Sequence, residues 1–98
     1  VWSNTALDAL DRSVAYLAER DSEAAQRLVA DIESMLTRLA RRNSGRRGRV
    51  PGTYEKSLPK WRYVVAFELR ESDDGQGELV VLHLVHTSRN WLGGGWPD

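Results

Sequence analysis

Trp61-Arg62-Tyr63-Val64-Val65-Ala66-Phe67-Glu68-Leu69-Arg70 is the stretch on which the fold turns. Trp61, Tyr63, Val65, Phe67 and Leu69 alternate with Arg62, Val64, Ala66, Glu68 and Arg70, and a period of two marks a strand laid against a core. Upstream, the period is helical. Leu7, Leu10, Val14 and Leu17 recur every three or four residues, as do Ala25, Leu28, Ile32, Met35, Leu36 and Leu39, so each set lies along one helical face. Ser3 or Asn4 offers an N-cap for the first helix, and Asp21 or Ser22 for the second. Only Glu19-Arg20-Asp21-Ser22 separates the two patterns, and so short a turn makes the pair an antiparallel hairpin.

Downstream, Leu79 to Val85 is apolar nearly throughout, which predicts a strand covered on both faces at the sheet centre. Ser72 to Gly77 predicts a polar hairpin loop between these strands. Tyr54 to Leu58 predicts a preceding strand turned by Pro59-Lys60, and Val1-Trp2 fits the remnant of an N-terminal one. Asn43-Ser44-Gly45 ends the second helix, and an arginine-rich loop runs on to the Pro51-Gly52 turn. The expected class is therefore α+β: an N-terminal antiparallel helix hairpin packed on a small antiparallel β-sheet. One domain over residues 1–92 is expected, with a flexible glycine-rich tail over 93–98.

Ninety-eight residues suit a single domain, and a chain this short leaves much of its surface for a partner to cover. Cysteine is absent, which excludes disulfides, thiolate catalysis and cysteine zinc sites. No apolar run approaches the roughly 20 residues that span a bilayer, and no signal-like segment opens the chain, so a cytoplasmic protein without membrane contact is expected. Basic and acidic side chains balance at 14 each, which argues against a protein held on nucleic acid by net charge alone. The charges are nevertheless segregated: Arg38, Arg41, Arg42, Arg46, Arg47 and Arg49 follow one another with no acidic residue between them. Arg41, Arg42, Arg46, Arg47 and Arg49 are candidate anion-binding residues, since the guanidinium fork matches carboxylate and phosphate alike. The plainer alternative is a solvated helix end, where cations complement the helix dipole.

His83 and His86, three apart, face opposite sides of a strand, so a shared metal is not expected; neither is a cofactor, for no phosphate-binding glycine loop or metal cluster is present. His83 reads as a packed core histidine, and His86, where the strand leaves the sheet, as hydrogen-bonding or functional. Glu55, Arg62 and His86, with Lys56 and Lys60 nearby, have the residue types for RNA cleavage by proton transfer and phosphorane stabilisation. The competing reading is an ordinary polar sheet face. Tyr54, Trp61 and Trp91 are candidate base-stacking residues or rim aromatics.

Helix hairpin, then Gly45-Arg46-Arg47-Gly48-Arg49-Val50-Pro51-Gly52-Thr53-Tyr54-Glu55, then Tyr63-Val64-Val65-Ala66-Phe67, then His86-Thr87-Ser88-Arg89-Asn90-Trp91 resembles, in that order, the RelE/ParE toxin superfamily of type II toxin–antitoxin systems. RelE-like members are ribosome-dependent mRNA endoribonucleases, whereas ParE-like members share the fold and poison DNA gyrase without hydrolytic chemistry. The ribonucleases typically carry arginine after the tyrosine of the central strand and a tyrosine beyond the last strand. Here those places hold Val64 and Trp91, and the Val50-Pro51-Gly52-Thr53 turn and Arg89-Asn90-Trp91 look more like ParE. The resemblance implies a toxin that acts by binding, with gyrase as target and Tyr54, Arg89 and Trp91 as candidate contacts. As a ribonuclease it would instead use Glu55, Arg62, His86 and Arg89. It also implies a cognate antitoxin with a segment disordered when free, placing a helix along the toxin hairpin and an extended stretch near the sheet. Operator DNA would be met only through that antitoxin.

Overall fold

A computed structural model of the chain describes residues 1–71, 73–75 and 77–97; Ser72 and Gln76 of the expected hairpin loop, and Asp98, lie outside the described residues. The elements are α1 (Asn4–Ala18), α2 (Ser22–Arg41), β1 (Arg46–Arg47), β2 (Tyr54–Leu58), β3 (Tyr63–Glu71) and β4 (Gly77–His86). All four strands pair antiparallel in the order β1-β2-β3-β4. Ser3 caps α1 by accepting from the Ala6 amide at 3.1 Å, and Asp21 caps α2 by accepting from Ala24 at 3.0 Å; each satisfies a donor that the first turn leaves unpaired.

The core lies between the hairpin and one face of the sheet. Leu28, Ile32, Met35 and Leu39 of α2 cluster with Val65, Phe67, Val81 and Leu84. On α1 the deepest positions are Ala6 and Ala9 rather than the expected leucines, and Leu7 is exposed. Two alanines let α1 approach both α2 and β4 closely, and a helix seated on small side chains tips its larger ones to the rim.

Three features depart from the expected sheet. First, Arg46–Arg47 is a short strand paired with Glu55 and Tyr54, not loop. Secondly, β3 starts at Tyr63; Trp61 and Arg62 belong to the turn before it. Arg62 holds a left-handed backbone, φ 60°, a conformation costing a residue with a side chain about 1–2 kcal/mol, and Trp61 ties the turn to α2 by donating from Nε1 to Asp31 Oδ2 at 2.7 Å. Thirdly, β4 is not central but the last strand of the order. Its outer edge is lined from Leu79 to Leu82 by the N-terminal tripeptide: Val81 donates to Val1 O at 2.8 Å and accepts from Ser3 N at 2.9 Å, a parallel bridge at Trp2, while Val1 N donates to Leu79 O at 3.1 Å and Ser3 Oγ to Leu82 O at 3.0 Å. The apolar run of β4 thus reflects cover on both faces and a partly covered edge. A bulge adds to this, because Ala66 pairs with His83 and Phe67 with Val81, leaving Leu82 unmatched. The extra residue resets the alternation, so that Val81 and Leu84 both reach the helix-side core.

Candidate functional site

The register sorts side chains by face. Tyr54 opposes Phe67 and Glu55 opposes Ala66; Phe67 looks toward the helices, so Glu55 stands on the far face. There it is 4% exposed, an uncommon depth for a carboxylate, which must find partners where water cannot reach it. Its Oε1 accepts from Arg46 Nη2 at 3.1 Å, and its Oε2 accepts from the Arg49 backbone amide and from Trp96 Nε1, both at 2.9 Å. Burial pushes the Glu55 carboxyl upward in pKa; the Arg49 amide, the Trp96 indole and the guanidiniums of Arg46 and Arg49 together outweigh it and hold the carboxyl below its ordinary range. The group is therefore an anchored carboxylate, not a proton carrier near neutral pH.

The loop before β2 is shaped to deliver that amide. Gly52 adopts φ 83°, as the second central residue of a Pro-Gly turn requires. Gly48 hydrogen-bonds to Thr53 O at 2.9 Å, and a Cβ there would lie within 3.3 Å of Glu55 Oε2 and collide with Thr53 Oγ1, so any side chain would force the loop away from the carboxylate. Arg49 then reaches across to the C-terminal segment. Its Nη1 donates to Trp91 O at 3.0 Å, Gly93 O at 3.3 Å and Gly95 O at 3.4 Å, and its guanidinium lies 4.4 Å from the Trp91 ring centre. Gly93 to Gly95 arches around Arg49 and returns Trp96 to Glu55. Three carbonyls, those of Trp91, Gly93 and Gly95, thus converge on one guanidinium, a contact that no local pattern announces.

The proposed catalytic set is not gathered in one place. His86 opposes Tyr63, meets it edge-on at 5.1 Å, and so shares the helix-side face, whereas Glu55 is on the other. From strand and residue spacings their Cα atoms stand about 14 Å apart. Arg62 and Arg89 do join His86 at one corner, since Thr87 donates to Arg62 O at 2.8 Å and Arg89 to His86 O at 3.1 Å. His86 Nδ1 accepts from the Ser88 amide at 3.1 Å and lies 2.7 Å from Ser88 Oγ. An amide only donates, so the neutral ring carries its proton on Nε2.

The arginine candidates divide likewise. Arg46 and Arg49 are committed to Glu55, while Arg41, Arg42 and Arg47, like Arg62 and Arg89, hold no side-chain hydrogen bond or ion pair among the described residues. Arg38, Arg41, Arg42 and Lys56 rim a cleft of about 480 Å³ floored by Met35 and Leu39. Tyr54 stacks on Phe67 at 5.7 Å, which makes it part of the core margin, and Trp91 donates from Nε1 to Thr87 O at 3.2 Å. His83 is buried within β4, where its Nδ1 accepts from the Leu84 amide at 2.9 Å. Among the described residues no three His, Asp or Glu side chains are placed to hold a metal, and no helix is long and apolar enough to cross a membrane. Sequence reasoning missed Trp96. The available signal was an indole N–H placed just beyond a glycine spacer able to fold back.

A family model described as the ParE toxin of the type II toxin–antitoxin system, parDE, matches residues 1–91. A protein of Sinorhizobium fredii (strain NBRC 101917 / NGR234) named "Putative toxin Y4kP" is 31% identical over 91 residues, which are 92% of this chain and 88% of that protein. A chain of the solved structure "Chromosomal ParDE TA system from P. aeruginosa" superposes with a TM-score of 0.71 at 24% identity, over 89% of this chain and 92% of that one. At that identity the likeness is one of fold.

Proposed function

Because the chain belongs to the ParE toxin family of type II toxin–antitoxin systems, we propose that it acts in the cytoplasm by binding rather than by hydrolysis, with DNA gyrase as its target, and that a cognate antitoxin neutralises it. The observation that carries the binding reading is the state of Glu55. It is the one carboxylate of the candidate catalytic set, yet it is buried, triply hydrogen-bonded and on the sheet face away from His86. Chemistry needs acid and base within reach of one scissile bond; these two are not. Gyrase as target follows from the family rather than from any geometry. Purified protein added to gyrase, relaxed DNA and ATP is expected to block supercoiling or trap cleaved DNA. Full supercoiling at saturating protein would end the gyrase assignment.

One observation favours a second reading, a ribosome-dependent endoribonuclease: Arg62, His86 and Arg89 share a corner. Codon-phased cuts in translated message that disappear in His86→Ala would establish it.

For the antitoxin, Arg41, Arg42 and Arg47, the loop-region arginines not held by Glu55, are the expected docking charges, and the Met35/Leu39 cleft rimmed by Arg41, Arg42 and Lys56 suits an acidic segment with apolar anchors. Reversing all three to glutamate is expected to slow association at low salt by about ten-fold or more and to flatten its salt dependence, since steering charges act on the encounter rate. Stopped-flow association across an ionic-strength series measures both. Arg46→Glu is the wrong probe, because it would place a second carboxylate against Glu55.

A further inference from the structure

A different cleft lies at the opposite edge of the sheet. The N-terminal tripeptide lines the outer edge of β4 only from Leu79 to Leu82; at Asn4 the chain turns into α1, leaving a hollow of about 480 Å³ between α1 and the last residues of β4. Arg12 and Tyr16 of α1 form one wall, His86, Ser88 and Arg89 the other, with Tyr63 at the base. Neither guanidinium has a side-chain partner among the described residues. Among the described residues no carboxylate lines the hollow. The Ser88 amide donates to His86 Nδ1, which leaves Nε2–H as the ring's donor. Two unpaired guanidiniums and a fixed imidazole N–H, with no acid to neutralise them, make an oxyanion site.

The size and the remaining lining narrow the ligand. The hollow is far larger than one tetrahedral oxyanion, and beside the aliphatic Leu84 and Val85 it carries the rings of Tyr16, Tyr63 and His86. The cleft at the end of α2 has no ring in its lining, only Met35 and Leu39 among cations, which suits a peptide. Flat rings beside paired arginines suit a base attached to a phosphate. The geometry points to a nucleotide site: Arg12 and Arg89 hold the phosphate, His86 Nε2–H donates to it, and the tyrosines face the base. This assignment is independent of the gyrase and antitoxin readings and adds Arg12, Tyr16 and Tyr63 to the functional residues.

The test is a titration of the ¹⁵N-labelled full chain, followed by amide and imidazole NMR shifts. Deoxyadenosine 5′-monophosphate is expected to shift Ser88, Arg89 and the His86 ring saturably. Deoxyadenosine and inorganic phosphate should each bind at least about ten-fold more weakly, the scale on which one charge-assisted hydrogen bond changes affinity. Arg12→Gln and Arg89→Gln should each weaken the nucleotide by a similar factor, with circular dichroism unchanged because both side chains are exposed. A single-stranded hexanucleotide that binds more tightly than the mononucleotide, with affinity falling as salt rises, would identify the source as a strand; equal binding would identify it as free nucleotide. Three results would overturn the site: no saturable shift, phosphate alone binding as well as nucleotide, or an acidic hexapeptide competing at the same residues while both glutamine variants bind nucleotide normally.

Discussion

Glu55→Ala is expected to lower the unfolding free energy at neutral pH by about 3 kcal/mol. Breaking a buried ion pair costs on the order of 3–5 kcal/mol because the abandoned partners stay desolvated. The lower end applies here because the Arg46 side chain is 58% exposed and water can solvate it once it is released. The Arg49 amide and the Trp96 indole, in part-buried hydrogen bonds, also lose their acceptor, and each donor left unmet away from water costs about 1 kcal/mol or more. The melting temperature of so small a domain should then fall by about 10–20 °C. Glu55→Gln keeps an acceptor oxygen and loses the charge, so its loss should be smaller. Acid separates the two contributions. The folded pKa lies below the unfolded one, so the charge contributes fully above the unfolded value of about 4.3 and its contribution disappears as pH falls through the depressed folded value. The gap between wild type and Glu55→Gln should therefore close below about pH 4. A gap that stays constant down to pH 2 would show that the Glu55 charge adds no stability.

Phe67→Ala should cost as much or more, about 3–5 kcal/mol, the range for removing a buried aromatic ring and leaving its cavity. The ring is wholly buried, stacked on Tyr54, and close enough to Gly45 that a Cβ there would sit 2.9 Å from Cζ. It therefore links three otherwise separate pieces: the core, the aromatic of β2 and the exit from α2. Typical domains have only about 5–15 kcal/mol in total, so the variant should unfold at far lower urea with the slope m retained. Phe67→Leu, which refills much of the volume, should lose less than half as much. Equal losses for the two variants would mean that the ring's stacking on Tyr54, not its volume, dominates.

The helices and main strands were legible because their signals are local. The stripe from Ala25 to Leu39 and the alternation from Tyr63 to Leu69 each declare a buried face within a few residues, and Ser3 and Asp21 cap within one turn. What was not legible depends on partners far along the chain. Arg46–Arg47 becomes a strand only because Glu55 and Tyr54 lie opposite it, and nothing within two residues could announce that. The Leu82 bulge leaves no trace in an all-apolar run, since both registers read alike there. The edge position of β4 was hidden for the same reason: burial under α1 and beside the N-terminal residues yields the composition of a central strand. At the site, Arg46, Arg49 and Glu55 were legible as charged residues, but not as one another's partners. Glu55 read as surface because its neighbours Lys56 and Ser57 are polar, while its cover arrives from Trp96, 41 positions away.

The pairing of Val1–Ser3 with β4 closes a loop across most of the fold. Val1 bonds to Leu79 across 78 positions and Ser3 to Leu82 across 79, so this edge forms only when β4 is in place. Two core side chains, Val81 and Leu84, belong to that strand, so the helices and the other strands lack part of their core until it docks. A copy of this chain truncated before β4 is therefore expected to stay unfolded, with neither the N-terminal edge nor the far side of the core completed.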